Sequence, residues 1–144
     1  MPNLLRRHAL LALALLPFAP AACSRHADRC ANCGMKLDMT SPWLADLVRG
    51  DGSHVHFDTP RCALTAWRSG RVPAEAISLQ EFYDRAWRRG DELRFALGSD
   101  VMGPMGADVV PVDPARAAKF ASDHHATRIA ALDDLTPALL GSLS

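Results

Sequence analysis

The 144-residue sequence has no excess of charge of either sign and no apolar run long enough to cross a bilayer. It contains 16 Lys and Arg residues and 16 Asp and Glu residues, so its formal net charge is zero. Proteins that bind nucleic acid present a strongly basic face, and this balance argues against such a partner. The apolar stretch at 9–19 has about half of the roughly 20 residues that a spanning helix needs. We therefore predict no membrane-spanning helix.

The first 22 residues have the pattern of an export signal. Two arginines precede the apolar stretch, and small residues follow it, as in secretory signal peptides. We expect residues 1–22 to be removed, which leaves 14 basic and 16 acidic residues and a net charge of −2. The stretch "APAAC" ends at Cys23 and resembles a bacterial lipobox, in which the cysteine is acylated. Pro20 stands where that box usually has leucine, so ordinary cleavage after Ala21 is the alternative.

The rest of the chain divides into an arm, a domain and a tail. Residues 23–42 are polar, rich in sulfur and without periodicity, which predicts an anchor and an irregular metal-binding arm. Residues 43–135 carry regular patterns and are long enough for one compact domain. Residues 136–144 are expected to form a flexible tail.

The domain pattern predicts an α+β fold. Alternating residues at 43–48 and 53–58 flank the turn signal "RGDG", which indicates a β hairpin. Thr followed by Pro opens a helix over 59–70, which ends at a glycine, and 76–84 alternates as a third strand. The second half repeats this order, with strand, strand, helix and strand expected at 92–98, 108–112, 113–125 and 126–135.

Two β-β-α-β units in one compact domain are therefore predicted, preceded by the irregular Cys/Met-rich arm. Aligning 57–67 with 112–122 places Asp58 over Asp113 and Arg61 over Arg116. The two segments occupy the same place in the two units.

Three cysteines follow Cys23, namely Cys30, Cys33 and Cys62. Outside the cytoplasm, two nearby cysteines commonly form a disulfide. The four-residue C-x-x-C loop, however, gains little stability from a cross-link. A thioredoxin-type motif would place its first cysteine at a helix N-terminus after a strand, and no strand is predicted before Cys30. A metal site is the interpretation that these residues favour.

Zinc is one metal that the residues could hold. Cys30 and Cys33 could combine with His54 and His56 into a Cys2His2 set. However, the H-x-H pattern on a strand is equally typical of a strand that faces solvent.

The methionines favour Cu(I) instead, because thioethers are soft ligands that suit this ion better than zinc. Met35 follows Cys33 across a glycine, which allows the chain to fold back. Met102 and Met105 lie in a Gly/Pro-rich loop instead of at helical spacing. A thiolate–thioether site of low coordination would hold Cu(I) and leave it open to exchange.

Four stretches of the sequence share the order and spacing of a known family. They are "CANCGM" (30–35), "VHFDTPRCALTAW" (55–67), "SDVMGPMGADVVPV" (99–112) and "RAAKFASDHHATRI" (116–129). Together they resemble the NosL family of copper-binding lipoproteins, which are accessory proteins for the maturation of nitrous oxide reductase. The resemblance covers about 23–135 and implies a pair of β-β-α-β units that bind one Cu(I).

The resemblance also implies a set of metal ligands. Cys30, Cys33 and Met35 would bind from the arm, and Met105 would bind from the loop. Met102 is an additional methionine that the family pattern does not explain. Cys62 is not a regular family position; it is either buried on its helix or a spare ligand.

The function implied is a membrane-anchored Cu(I) chaperone that faces the periplasm and catalyses no reaction. It would pass copper to a membrane-bound copper-assembly transporter complex, with nitrous oxide reductase as the direct or indirect recipient. Ser24 after the lipid-bearing Cys23 favours the outer membrane. The alternatives are a thiol–disulfide oxidoreductase that uses the C-x-x-C pair and a structural zinc-binding module.

Overall fold

The computed structural model of this protein describes residues 28–143. The predicted signal peptide at 1–22, the predicted lipidation site Cys23 and the start of the predicted arm lie outside these residues. No helix within residues 28–143 is long and apolar enough to cross a bilayer.

The first half of the domain forms a four-stranded antiparallel sheet with one helix. Its elements are β1 (Ala45–Val48), β2 (His54–Phe57), α1 (Pro60–Arg68), β3 (Ala76–Gln80) and β4 (Trp87–Arg89). The strands lie in the order β2-β1-β3-β4, so the predicted hairpin, helix and third strand are confirmed. β4 was not predicted, because its three residues, WRR, carry no apolar alternation.

Alternation along the hairpin separates a core face from an outer face. Leu47 and Phe57 are completely buried, and Val55 packs against the same core. His54 and His56 lie on the opposite face of β2, as expected from the two-residue period of a strand. The hairpin therefore presents both histidines on the outer surface of the first sheet.

The second half repeats the plan in a smaller sheet. Its elements are β5 (Arg94–Leu97), β6 (Met102–Gly103), β7 (Gly106–Ala107), β8 (Val110–Val112), α2 (Ala117–Asp123) and β9 (Arg128–Ala130). β5 lies between β8 and β9 and is antiparallel to both, as β1 lies between β2 and β3. The predicted α+β fold with two β-β-α-β units is confirmed. The predicted Gly/Pro loop contains the small β6–β7 hairpin.

The C-terminal segment differs from the predicted tail. Residues Pro137–Gly141 form α3, and the helix contacts α1. Thr136 caps it by accepting a hydrogen bond from the Leu139 N–H at 3.2 Å, and Leu140 is only 1% exposed. A helix this short is not stable alone, so the burial of Leu140 holds it in place.

The main hydrophobic core joins the first sheet, α1, β5 and α3, and it also includes two residues of the arm. Cys30 and Leu37 are buried in this core. A smaller cluster lies beneath α2 and is centred on Phe120. The arm is thus packed against the domain along its sulfur-bearing segment.

Candidate metal centre

The arm closes into a short loop that carries two cysteines. An isolated β bridge joins the ends of the loop, and the Cys30 N–H donates to the Met35 carbonyl at 2.8 Å. The Gly34 N–H donates to the Cys30 carbonyl at 2.9 Å, and Gly34 has a φ of 77°. Glycine adopts this left-handed conformation without steric cost. The turn therefore allows Cys30 and Cys33 to lie side by side.

The junction between β2 and α1 supplies two further donor groups. Asp58 is the first residue after β2, and Cys62 lies in the first turn of α1. The Thr59 hydroxyl caps the helix by accepting a hydrogen bond from the Cys62 N–H at 3.1 Å. Pro60 has no backbone N–H that would need a partner. The cap fixes Cys62 at the N-terminus of α1.

The arm and the junction converge on one cluster of four side chains. The sulfurs of Cys30, Cys33 and Cys62 and a carboxylate oxygen of Asp58 all lie within 4.8 Å of one another. Cys33 is the most exposed of the four, and the other three are buried. Within residues 28–143, no other group of three or more His, Cys, Asp or Glu side chains converges in this way. We call these four residues the sulfur cluster.

Asp58 has one oxygen inside the cluster that lacks a partner. Its Oδ2 accepts a hydrogen bond from the Cys33 thiol at 3.4 Å. Its Oδ1 is buried and has no hydrogen-bond partner among the described residues. An unsatisfied buried polar atom costs about 1–3 kcal/mol, and a cation at this point would remove that cost. The donor set therefore fits a bound metal ion.

Asn32 links the arm to the helix beside the cluster. Its side-chain amide donates to the Cys62 sulfur at 3.4 Å, and its carbonyl oxygen accepts from the Arg71 guanidinium. Arg71 lies beyond the C-terminal end of α1, so this chain of hydrogen bonds runs along the helix. It holds the cysteine loop against α1 and places a positive charge near the thiols.

The three thiols differ in how readily they ionise. A hydrogen bond from the Cys62 thiol lowers the pKa of Cys30 to about 6. Because Cys62 shares its proton with Cys30 and is buried, the pKa of Cys62 lies well above its ordinary value. Burial raises the pKa of Cys33 to about 11. At neutral pH the metal-free cluster therefore holds one thiolate and two thiols, and a metal bound by more than one sulfur must release protons.

The three predicted methionine ligands are exposed and lie on different segments of the chain. Met105 lines a cleft of about 350 Å³ together with Cys33 and Cys62, and it is 54% exposed at the cleft rim. Met35 is exposed, and its carbonyl is tied to the Cys30 N–H. Met102 lies outside the cleft on β6 and is also exposed. Of the three methionines, Met105 is the one that lines this cleft with Cys33 and Cys62.

The two histidines of the alternative zinc set lie apart from the sulfur cluster. The ring Nδ1 of His54 contacts Asp46 Oδ2 at 3.2 Å, and the ring Nδ1 of His56 contacts Asp46 Oδ1 at 2.6 Å. Both rings project from the outer face of β2, whereas Cys30 is buried in the core. The structure thus does not assemble the Cys2His2 set.

Sequence reasoning gave Cys62 only a secondary place and missed Asp58 entirely. Asp58 stands four residues before Cys62, at a strand end that leads directly into a capped helix. That spacing could have indicated that the two side chains share one junction. Nothing in the local pattern shows that the arm folds onto this junction, because the contacts that place it join residues about 30 positions apart.

The sulfur cluster has the chemistry of a soft-metal site with one open side. Thiolates select ions such as Cu(I) and Zn(II), and the buried sulfurs of Cys30 and Cys62 would shield such an ion from water on one side. Cys33 and the adjoining cleft leave a route by which another ligand could reach the metal. The arrangement therefore suits binding with exchange.

Comparison with known proteins finds a matching sequence family and a similar solved structure. The sequence model of the NosL family matches residues 21–140. The chain is also similar to the crystal structure of the copper chaperone NosL from Shewanella denitrificans, with a TM-score of 0.66 and 18% sequence identity, over 83% of this chain and 96% of that one. At this identity the structural likeness shows a shared fold. No curated protein matches the chain in sequence. Because the family model covers most of its length, the chain belongs to the NosL family.

Proposed function

We propose that this protein is a membrane-anchored Cu(I) chaperone that delivers copper in the periplasm for the maturation of nitrous oxide reductase. The observation that carries the proposal is the sulfur cluster, in which Cys30, Cys33 and Cys62 meet beside Asp58. Membership of the NosL family and the description of the similar solved structure as a copper chaperone support it.

Two features of the donor set favour Cu(I) as the cargo. Cu(I) is well satisfied by two or three soft ligands, and the cluster offers three sulfurs, with the Met105 thioether across the cleft. Zn(II) would prefer four ligands in a tetrahedron and would need the Asp58 carboxylate as the fourth. On the Cu(I) account, Asp58 orients the Cys33 thiol before loading by accepting its hydrogen bond and is not an essential ligand of the ion.

The exposure of the cluster explains how a carrier could release its cargo. Cys30 and Cys62 are buried and hold the ion from below, whereas Cys33 and Met105 stand at the opening. A partner's ligand could enter the cleft and replace the exposed sulfurs one at a time. No covalent chemistry is needed, because ligand exchange alone moves the metal.

A Cu(I) titration of the reduced protein against a coloured Cu(I) competitor tests the proposal. We expect about one tight equivalent, weakened in Cys30→Ser and Cys33→Ser. Cys23→Ser is the matched control, because this cysteine is assigned to the lipid anchor and its loss should leave the affinity unchanged. Failure of the protein to outcompete the indicator, together with retention of zinc by the same cysteines, would favour the structural zinc module instead.

The low pKa of Cys30, about 6, also supports a second candidate function, thiol–disulfide exchange. The attacking group in such exchange is a thiolate, and two further thiols stand within 4.8 Å to resolve a mixed disulfide. Reduction of insulin disulfides that is catalytic and lost in Cys30→Ser would support this enzyme. We expect no turnover above that of a small dithiol.

Anchoring and delivery are tested in cells. The wild-type protein should fractionate with membranes, and Cys23→Ser should move to the soluble periplasmic fraction. In a strain without this protein, nitrous oxide reductase should accumulate with less copper, and a Cys30→Ser/Cys62→Ser copy should fail to restore it. Full copper content in that strain would contradict the proposed recipient.

A further inference from the structure

Two histidines and an aspartate lie close together on the outer face of the β1–β2 hairpin. His54 and His56 are 47% and 35% exposed at their side chains, and Asp46 opposite them on β1 is 14% exposed. The strand register pairs Asp46 with His56 directly. The two imidazole rings stack with their centroids 6.5 Å apart and an angle of 28° between their planes. The sulfur cluster uses none of these three residues.

The single carboxylate of Asp46 orients both rings. Its two oxygens contact the Nδ1 atoms of His54 and His56 at 3.2 and 2.6 Å. In the neutral rings, the Nδ1–H group donates a hydrogen bond to Asp46, which leaves an unprotonated Nε2 on each ring. Histidines that bind metals are held in this way: one nitrogen donates to a carboxylate while the other binds the ion.

We propose that the Nε2 atoms of His54 and His56 form a second metal site, separate from the sulfur cluster, for a divalent late transition-metal ion. Imidazole is a good ligand for Cu(II), Ni(II) and Zn(II), and the two residues are adjacent on one face of the strand. Asp46 acts as a positioning residue, because its contacts to Nδ1 fix the tautomer and the ring orientation without requiring a bond to the ion.

Binding requires the two Nε2 atoms to face one ion. Metal–Nε2 bonds are about 2.0–2.1 Å long, so the two rings, whose centroids are 6.5 Å apart, must be oriented with their Nε2 atoms at most about 4 Å apart. β2 is the outermost strand of its sheet within the described residues, and the exposed rings have room to tilt. Water would complete the coordination of this two-histidine site, and the ion would exchange readily.

His124 is also oriented by a carboxylate, but its surroundings differ from those of His54 and His56. The ring Nδ1 of His124 contacts Asp100 Oδ1 at 3.1 Å, so it too is oriented by a carboxylate. Its ring, however, packs against Phe120 with centroids 4.5 Å apart. His124 is therefore a matched control: a carboxylate-bound imidazole on a different face of the protein, packed against an aromatic ring.

Ni(II) is the probe that tests the second site, because it binds imidazole and does not oxidise thiols readily. It is added to the Cu(I)-loaded full chain, and NMR follows the ring C–H signals of the histidines. We expect the His54 and His56 signals to broaden together at about one equivalent, with the His124 signals unaffected. His54→Ala or His56→Ala should abolish this saturable binding, His124→Ala should not change it, and Asp46→Asn should weaken it by about 10- to 100-fold.

A thiol-free chain makes this test independent of the proposed copper site. The Cys30→Ser/Cys33→Ser/Cys62→Ser variant, provided that its NMR spectrum shows a folded protein, should keep the same Ni(II) affinity. If the thiol-free variant does not fold, the Ni(II) titrations of the Cu(I)-loaded wild type and its histidine variants still test the second site. Equal Ni(II) affinity in wild type, His54→Ala and His56→Ala would overturn the second site, as would broadening that requires the cysteines.

Discussion

The two β-β-α-β units place an aspartate at the same point, and the two aspartates have different surroundings. Asp58 directly follows β2, and Asp113 directly follows β8. One carboxylate oxygen of Asp113 accepts a hydrogen bond from Arg88 Nη1 at 3.0 Å, and the other oxygen accepts one from the Ala115 N–H at 2.8 Å. Asp58 Oδ2 accepts a hydrogen bond from the Cys33 thiol at 3.4 Å, and its second oxygen is buried without a hydrogen-bond partner among the described residues.

The N-terminal ends of the two helices that follow these aspartates also differ, and only the first carries a metal-binding residue type. α1 begins at a Thr59 cap and carries Cys62 in its first turn. α2 follows a short 3-10 turn, and the sequence alignment of the two units places Ala117 over Cys62. The cysteine loop of the arm packs beside α1. A repeated topology thus becomes a candidate metal site through an aspartate without a cationic partner, a thiol at a helix start and an arm that brings two more thiols.

Cys62→Ala introduces the residue found at the aligned position of the second unit. Of the changes considered, it should reduce metal binding by the first unit the most. The buried thiol has no substitute on α1, so Cys62→Ala should lower the Cu(I) affinity by more than the 10- to 100-fold that the loss of an outer partner typically costs. Competitor titration measures the effect, with thermal unfolding as a check of the fold. An unchanged affinity in a folded variant would assign the site to the C-x-x-C pair alone.

Asp108 connects the two units through a hydrogen bond to α1. This residue precedes β8, is buried, and accepts a hydrogen bond from the Arg61 N–H of α1 at 2.9 Å. Burial raises the pKa of Asp108 from 3.8 to about 6. Between these values the folded protein keeps a proton that the unfolded chain has lost, so this group's contribution to the free energy of unfolding falls as the pH rises, by up to about 3 kcal/mol.

Asp108→Asn should remove this pH dependence, because the amide keeps a carbonyl oxygen to accept the backbone hydrogen bonds and carries no charge. Denaturant unfolding of both proteins at pH 4, 5, 6 and 7 gives the difference in free energy. As the pH rises, the free energy of unfolding of the variant should increase relative to that of the wild type. A difference that is the same at every pH would refute the raised pKa.

The paired variants Asp58→Asn and Asp113→Asn should have opposite consequences. Asp113→Asn loses the charge that pairs with Arg88, so its free energy of unfolding should fall by about 1 kcal/mol while Cu(I) affinity is retained. Asp58→Asn should leave the stability nearly unchanged and weaken Cu(I) binding by about 10-fold. Chemical denaturation and competitor titration of both variants measure the contrast. Loss of binding in Asp58→Asn as large as in Cys62→Ala would identify Asp58 as an essential ligand and favour zinc.

The smallest expected effect concerns the loop of the second unit. Met105→Ala should weaken Cu(I) binding by no more than about 10-fold, because its thioether lies at the rim of the cleft and the thiols remain. Met102→Ala is the matched control on the same hairpin and should leave the affinity unchanged. Equal losses in both variants would indicate a general effect of the hairpin on the cleft.

Much of the fold could be predicted from local patterns. The β1–β2 hairpin and α1 have clear alternation, a glycine turn and a Thr-Pro start, which are decided within a few residues. β4 and α3 were not predicted, because their stability comes from other parts of the chain. β4 exists through its pairing with β3, and α3 depends on the burial of Leu140.

The site was predicted less completely for the same physical reason. The C-x-x-C-G-M stretch is visible as a unit, and it indicated two of the four clustered residues. Asp58 and Cys62 join them only after the arm has folded over the β2–α1 junction. The position of the arm depends on the burial of Cys30 and Leu37 and on the bond from Asn32 to Cys62, and a local pattern contains none of these contacts.

The distance along the chain between the two halves of the sulfur cluster also has a consequence for folding. Asn32 and Cys62 are 30 residues apart, so bringing the donors of the arm to those of the β2–α1 junction closes a long loop, and the folding of β1, β2 and α1 offsets the entropic cost of that closure. In the unfolded chain, a metal ion can bind the two neighbouring thiols of the C-x-x-C pair without that cost. Tight loading should therefore follow folding, and the protein would acquire its cargo only once the fold that can also release it is complete.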